Sequence, residues 1–71
     1  MKKSELSTFI KTKRKQLNMT QSDLAEKAGV GLRFVREMEQ GKMTLRIDKV
    51  NQVLKLFGCE LAPVKSGKSA N

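Results

Sequence analysis

One stretch, residues 21–40 (QSDLAEKAGVGLRFVREMEQ), constrains the fold of this chain more than any other. Ala25 is small at a point where two helices can approach closely, and Gly29 can take the positive φ that ends a helix. Val35 and Met38, three residues apart, form an apolar stripe that can pack back onto the preceding segment. The stretch therefore predicts two short helices packed against each other across a tight turn at Gly29.

The combination of these spacings is typical of a helix-turn-helix. A glycine follows the small residue, a branched and then an apolar residue follow at helical spacing, and Gly41 closes the second helix. Any one of the apolar residues alone would indicate only a packed core. Together they predict an all-α fold, a small helix-turn-helix bundle of about four to five helices.

The segments MTQSDLAEKAGV and REMEQGK resemble the Xre/Cro/C1-type helix-turn-helix family of small bacterial and phage repressors, over about residues 6–58. The resemblance implies a lambda-repressor-like bundle that binds DNA in a sequence-specific way and represses transcription. The short length and the ending FGCELAPV resemble the HipB-like antitoxins, which repress their own toxin–antitoxin operon. That narrower resemblance implies a homodimer, an inverted-repeat operator and a HipA-like kinase toxin as partner; a stand-alone regulator and a toxin-neutralising module are the alternatives.

The net charge of +8, from 15 Lys and Arg against 7 acidic residues, indicates a polyanionic partner or simply a soluble surface. On a helix-turn-helix the same charge favours DNA. The 71 residues are predicted to form one DNA-binding domain over 1–64, which includes a C-terminal dimerisation segment, and a disordered tail over 65–71. A chain of this size buries only ~60% of its unfolded surface, so dimerisation would add stability.

Cys59 is the single cysteine and the chain has no histidine, so we expect a buried, inert thiol, no metal and no cofactor. The absence of histidine, tyrosine and a phosphate-cradling glycine loop leaves no poised base or nucleophile, so we do not expect an enzyme. The N-terminus MKKSELSTFI lacks the apolar stretch of a signal peptide, and no window approaches the ~18 apolar residues of a membrane span. We therefore expect a cytoplasmic protein.

The first helix is predicted over residues 4–17, with Leu6, Phe9, Ile10 and Leu17 toward the core. The opposite face carries the basic run of Lys11, Lys13 and Lys15, which is either a solvated face or a surface beside the DNA backbone. A membrane-surface helix is a weaker alternative, because the core needs the apolar stripe.

The start of the motif's first helix is a predicted contact with the DNA backbone. Thr20 is the expected cap, with Asp23 at the capping-box position. The free amides at this helix end favour a phosphate oxygen. Gln21 aligns with the family's backbone-contacting glutamine, the alternative being an exposed side chain that touches nothing. The other predicted backbone contacts are Gly31, Lys42 and Thr44. Thr44 is also a candidate cap for the last helix.

The second helix of the motif, over residues 31–40, is predicted to read bases with the outward side chains Leu32, Arg33, Arg36 and Glu37. Arg33 is the favoured base reader, because a guanidinium can bond guanine O6 and N7 in a bidentate way. Glu37 either accepts from cytosine N4 or only pairs with Arg33 one turn back. Phe34 stands where the family has a small residue, which predicts either a changed docking depth or a contact with another protein chain.

Arg14 and Glu39 align with a family pair, so the resemblance implies a structural ion pair between the first helix and the recognition helix. A last helix is predicted over residues 45–57, with Ile47 among its core-facing residues. Residues 59–64 alternate as in a short edge strand, which HipB-like proteins pair across a dimer; the alternative is an arm over the core. The predicted dimer contacts are Leu56, Cys59, Leu61 and Val64.

Overall fold

The computed structural model describes residues 5–42 and 44–63. These residues form four helices, α1 (Glu5–Gln16), α2 (Gln21–Ala28), α3 (Leu32–Glu39) and α4 (Ile47–Lys55), and contain no strand. Helix α2 packs on α3 and α4, and α1 packs on α3. The predicted all-α helix-turn-helix bundle is therefore confirmed. Ser4, Val64 and the predicted tail lie outside the described residues.

The core is a cluster of buried apolar side chains to which all four helices contribute. Its members are Ile10, Leu24, Ala25, Val35, Met38, Val50, Val53 and Leu54. Burying a side chain of this kind fully stabilises the fold by about 1.5–3 kcal/mol. Phe9 and Phe57 extend the cluster, with their rings packed edge to face at a centroid distance of 6.3 Å. This contact joins α1 to the end of α4.

All four helices end in the same way, at a residue with positive φ. These residues are Asn18, Gly29, Gly41 and Gly58. In each case the amide of that residue donates to the carbonyl three residues earlier, and the next amide donates to the carbonyl five residues earlier, which is a Schellman motif. Glycine takes positive φ without a Cβ clash and asparagine tolerates it, so these residues determine where each helix stops. The predicted turn at Gly29 is confirmed.

The helix starts differ from one another. At α2 the capping box is complete, because Asp23 N donates to Thr20 Oγ1 at 3.0 Å and Thr20 N donates to Asp23 Oδ2 at 2.9 Å. Helix α4 has no side-chain cap and begins after Arg46. The prediction that Thr44 caps this helix is therefore wrong. The capping position is Arg46, directly before the helix, and Thr44 lies two residues before Arg46.

Three side chains predicted to be buried are exposed. Leu17 is 56% exposed and Ile47 is 65% exposed. Leu17 follows the last residue of α1 and Ile47 is the first residue of α4. Both therefore lie at a helix end, where none of the described neighbouring helices covers the side chain. Cys59 is also exposed, and it follows α4 in a segment whose side chains are all exposed.

The C-terminal segment, residues 59–63, forms no strand within the single chain, and its Leu61 lies beside Ile47 and the core residue Val50. Two hydrogen bonds among the described residues tie it back to α4: Cys59 N donates to the Leu54 carbonyl at 3.0 Å, and Leu61 N donates to Asn51 Oδ1 at 2.8 Å. Its side chains are exposed throughout. The other backbone amides and carbonyls of an isolated extended segment need partners from water or from a second chain. Among the helices that the structure describes, none is long and apolar enough to cross a bilayer.

Candidate nucleic-acid interface

A buried ion pair fixes α3 to α1. Arg14 Nε donates to Glu39 Oε2 at 2.7 Å, and Arg14 Nη2 donates to Glu39 Oε1 at 3.1 Å. The exposed fractions of the two side chains are 11% and 3%. A bidentate arginine–carboxylate contact is directional as well as charged, so it holds the two helices in one orientation. The ion pair implied by the family resemblance is thus present.

The same carboxylate also holds the start of α2. Gln21 Nε2 donates to Glu39 Oε1 at 3.1 Å, and Arg14 Nη1 donates to the carbonyl of Met19 at 2.8 Å, in the loop before α2. Helices α1, α2 and α3 therefore meet at Glu39. The alternative in which Gln21 touches nothing is wrong, because its amide is anchored to Glu39.

The environment of Glu39 keeps it ionised. Burial alone would raise the pKa of Glu39 and is the largest single influence. The hydrogen bonds from Arg14 and Gln21, together with the charges of Arg14 and Lys11, outweigh burial and leave the pKa below the ordinary glutamate range. The network is therefore charged at neutral pH.

The outer face of α3 presents two arginines and one carboxylate. Arg33 has a side chain that is 90% exposed, and Arg36 is also exposed. Glu37 Oε2 lies 3.3 Å from Arg33 Nε and 3.4 Å from Lys42 Nζ. The pairing of Glu37 with Arg33 that was one of the two alternatives is present, and the guanidinium nitrogens beyond Nε remain available to a base.

Leu32 does not point outward as predicted. Like Phe34, it is partly buried and packs against the core. Leu32 lies three residues before the fully buried Val35, which places both on one side of the helix. The outward set on α3 is therefore more polar than the sequence interpretation assumed, and Leu32 can offer only its exposed edge to DNA.

The predicted phosphate contacts lie at helix ends and loops. Thr20 and Gln21 begin α2, and the bond between Gln21 and Glu39 brings this start beside the C-terminal end of α3. Lys42 follows that end, with a side chain that is 47% exposed. Gly31 and Thr44 are exposed, Gly31 at the start of α3 and Thr44 in the loop before α4. The structure thus brings together the start of α2 and the end of α3.

The three lysines of the basic run of α1 differ in exposure and in their contacts. Lys11 is half-buried and its charge acts on Glu39, so it lies on the α3 side of the helix. Lys13 Nζ lies 5.7 Å from the centroid of the Phe9 ring, while Lys15 is exposed. The sequence interpretation did not single out Lys11 as a neighbour of the ion pair. Its spacing of three residues from Arg14 is the signal that places both on one helix face.

Four short helices, of which α2 and α3 are joined by a tight glycine turn and α1 and α3 by a buried ion pair, define a helix-turn-helix protein. A helix-turn-helix family model matches residues 10–64. The chain is also similar to an uncharacterised HTH-type transcriptional regulator, y4mF, of Sinorhizobium fredii, at 40% identity over 65 residues, which is 92% of this chain and 86% of that protein. The chain belongs to the Xre/Cro/C1-type helix-turn-helix family of DNA-binding transcriptional regulators.

Proposed function

We propose that this chain is a sequence-specific repressor that binds an inverted-repeat operator as a homodimer. The observation that carries the proposal is the position of Arg33. Its side chain is 90% exposed on α3, while the buried side of the same helix is locked by Glu39 to Arg14 and Gln21. A base reader needs this combination of a free guanidinium and a fixed helix, because bidentate contact with guanine depends on orientation.

The residues around α3 support a division of labour on the duplex. Arg33, Arg36 and Glu37, with the exposed edge of Leu32, would face base edges in the major groove. The phosphate contacts would come from Thr20, Gln21, Gly31, Lys42 and Thr44. Contacts of this second kind set the register of a protein on DNA without reading its sequence.

Dimerisation would place two copies of α3 in successive major grooves, about 34 Å apart. The exposed apolar side chains near the C-terminus support this part of the proposal. Leu56 is 42% exposed beside Leu17, and Leu61 is 40% exposed beside Ile47. We assign the dimer contacts to Leu56, Cys59, Leu61 and Val64, within a domain that spans residues 1–64.

We infer further that the repressor is the autoregulating antitoxin of a HipBA-like operon. The layout of the C-terminal segment supports this inference, because residues 59–63 have exposed side chains and, in the described part of the chain, two backbone ties to α4, from Cys59 N to Leu54 and from Leu61 N to Asn51. Such a segment can pair with its twin in a second copy. A stand-alone regulator and a module devoted to toxin neutralisation are the competing functions.

The repressor function is tested by titrating the full chain onto the DNA upstream of its own gene and onto a scrambled duplex, at several salt concentrations. We expect binding to the promoter to exceed binding to the scrambled duplex by ~10³-fold or more near physiological salt. Equal affinities that fall together as salt rises would mean phosphate contact alone and would overturn the proposal.

The antitoxin role needs a separate experiment. The purified chain is mixed with the protein encoded by the adjacent gene and passed over a sizing column. Co-elution of the two proteins is the expected result. Promoter binding without co-elution would overturn the antitoxin role and leave the stand-alone repressor.

A further inference from the structure

The C-terminal end of α3 differs from the other three helix ends in one respect. In a Schellman motif, the residue after the left-handed position commonly makes an apolar contact with the last turn of the helix. At α1, α2 and α4 this residue is Met19, Val30 or Cys59, respectively. At α3 it is Lys42, whose amide donates to the Glu37 carbonyl at 3.1 Å and whose Nζ lies 3.4 Å from Glu37 Oε2.

Glu37 therefore holds Lys42 through both backbone and side chain. The same carboxylate oxygen lies 3.3 Å from Arg33 Nε. The Glu37 side chain is 26% exposed, compared with 90% for Arg33 and 47% for Lys42, so the carboxylate lies deeper than the two cations it joins. One acidic group thus connects the proposed base reader and a proposed phosphate contact.

We propose that Glu37 is a specificity-determining residue that weakens binding to non-operator DNA; this rests on the repressor function proposed above. A guanidinium has five N–H donors, and Glu37 takes the one on Nε. The two Nη groups are left for guanine O6 and N7, so Arg33 can read its base without giving up Glu37.

On non-operator DNA the balance is different. Arg33 can then gain only a phosphate contact, for which it must leave Glu37, and the freed carboxylate repels the phosphates around it. Exposed ion pairs are individually weak, worth about two-fold each in an equilibrium constant. With one pair that breaks only on non-operator DNA and one repulsive charge, we expect Glu37→Gln to tighten binding to a scrambled duplex by about 3- to 10-fold.

The test compares Glu37→Gln with Glu26→Gln in the full chain. Both changes remove one negative charge from a helix, but among the described residues no ion pair joins Glu26 to a cation. Each variant and the wild type are titrated onto promoter and scrambled duplexes over a salt series, after a thermal melt has shown that the variants fold. A second variant, Arg33→Ala combined with Glu37→Gln, removes one of the two restrained cations.

For Glu37→Gln we expect tighter binding to the scrambled duplex and a salt slope there that is steeper by about 1. We expect a smaller gain, or a loss, on the promoter, and hence a lower specificity ratio. Glu26→Gln should shift both duplexes alike, and the double variant should gain less on the scrambled duplex than Glu37→Gln alone. If the wild type prefers the promoter, but Glu37→Gln and Glu26→Gln shift the affinities for both duplexes equally, the specificity role of Glu37 is overturned and the repressor function stands. Wild-type protein that binds both duplexes equally would overturn the repressor function and the specificity role together.

Discussion

Arg14 Nε and Glu39 Oε2 lie 2.7 Å apart although the two residues are 25 positions apart in the chain. This contact matters for α3 because that helix has only 8 residues. Isolated helices shorter than ~12–15 residues are marginal in water, so the orientation of α3 depends on what it packs against. The ion pair, with Gln21, supplies the polar part of that support.

Arg14→Ala is expected to lower the free energy of unfolding by about 3–5 kcal/mol, because it leaves the buried Glu39 carboxylate without its cation. Urea unfolding followed by circular dichroism measures the loss. Arg46→Ala is the control: it breaks an ion pair with Asp48 at 2.8 Å whose side chains are 70% and 62% exposed. We expect that change to cost less than about 1 kcal/mol. Losses of the same size in both variants would contradict a structural role for the buried pair.

Stability should fall in acid through the protonation of Glu39. Its folded-state pKa lies below the ordinary value, so its contribution is present above the unfolded pKa of about 4.3 and is lost as the pH falls through the lower folded-state pKa. Urea midpoints between about pH 3 and pH 7 measure this loss.

Glu39→Gln should flatten part of the acid limb of that curve, because glutamine has no proton to take up there. Asp48→Asn is the control. Desolvation would raise the pKa of Asp48, but the hydrogen bond and the charge of Arg46 lower it overall. Unlike Glu39 and Arg14, both of these side chains are exposed. An acid limb that is identical in wild type and Glu39→Gln would show that the loss arises elsewhere.

The same substitution at two glycines separates backbone strain from crowding. Gly29→Ser should destabilise the fold by about 1–2 kcal/mol, because φ is 75° there, although the nearest atom to an added Cβ, Gln52 Nε2, is 3.5 Å away. Gly31→Ser should change stability by only a few tenths of a kcal/mol, in the stabilising direction, since φ is −75° and serine is a good helix cap. Thermal melts of both variants measure the difference, and equal costs would contradict the conformational argument.

Local chemistry in the sequence predicted the fold well. Thr20 with Asp23 marked the start of α2, and Gly29 marked its end, because capping hydroxyls and positive φ are properties of single residues. The Arg14–Glu39 pair came from the family resemblance, since nothing in the spacing of two residues so far apart indicates contact.

The errors came from features that depend on the extent of packing. Ile47 follows the apolar period of α4 but is its first residue, and Leu17 follows the end of α1, so both are exposed. Periodicity gives the face of a helix and not where its neighbours end. Of the two ion pairs of Glu37, only the one with Arg33 was predicted, from the spacing of four residues. The pair with Lys42 could not be predicted in this way, because Lys42 reaches Glu37 only through the cap geometry at Gly41.

The most direct test of the account compares Arg33→Ala with Lys42→Ala on the promoter and on a set of single-base variants of it. Arg33→Ala is expected to lose about 1–3 kcal/mol of discrimination at one position in each half-site, whereas Lys42→Ala is expected to weaken binding to every sequence alike and to lower the salt slope by about 1. Equal losses on all sequences for Arg33→Ala would contradict the claim that α3 reads bases through this side chain.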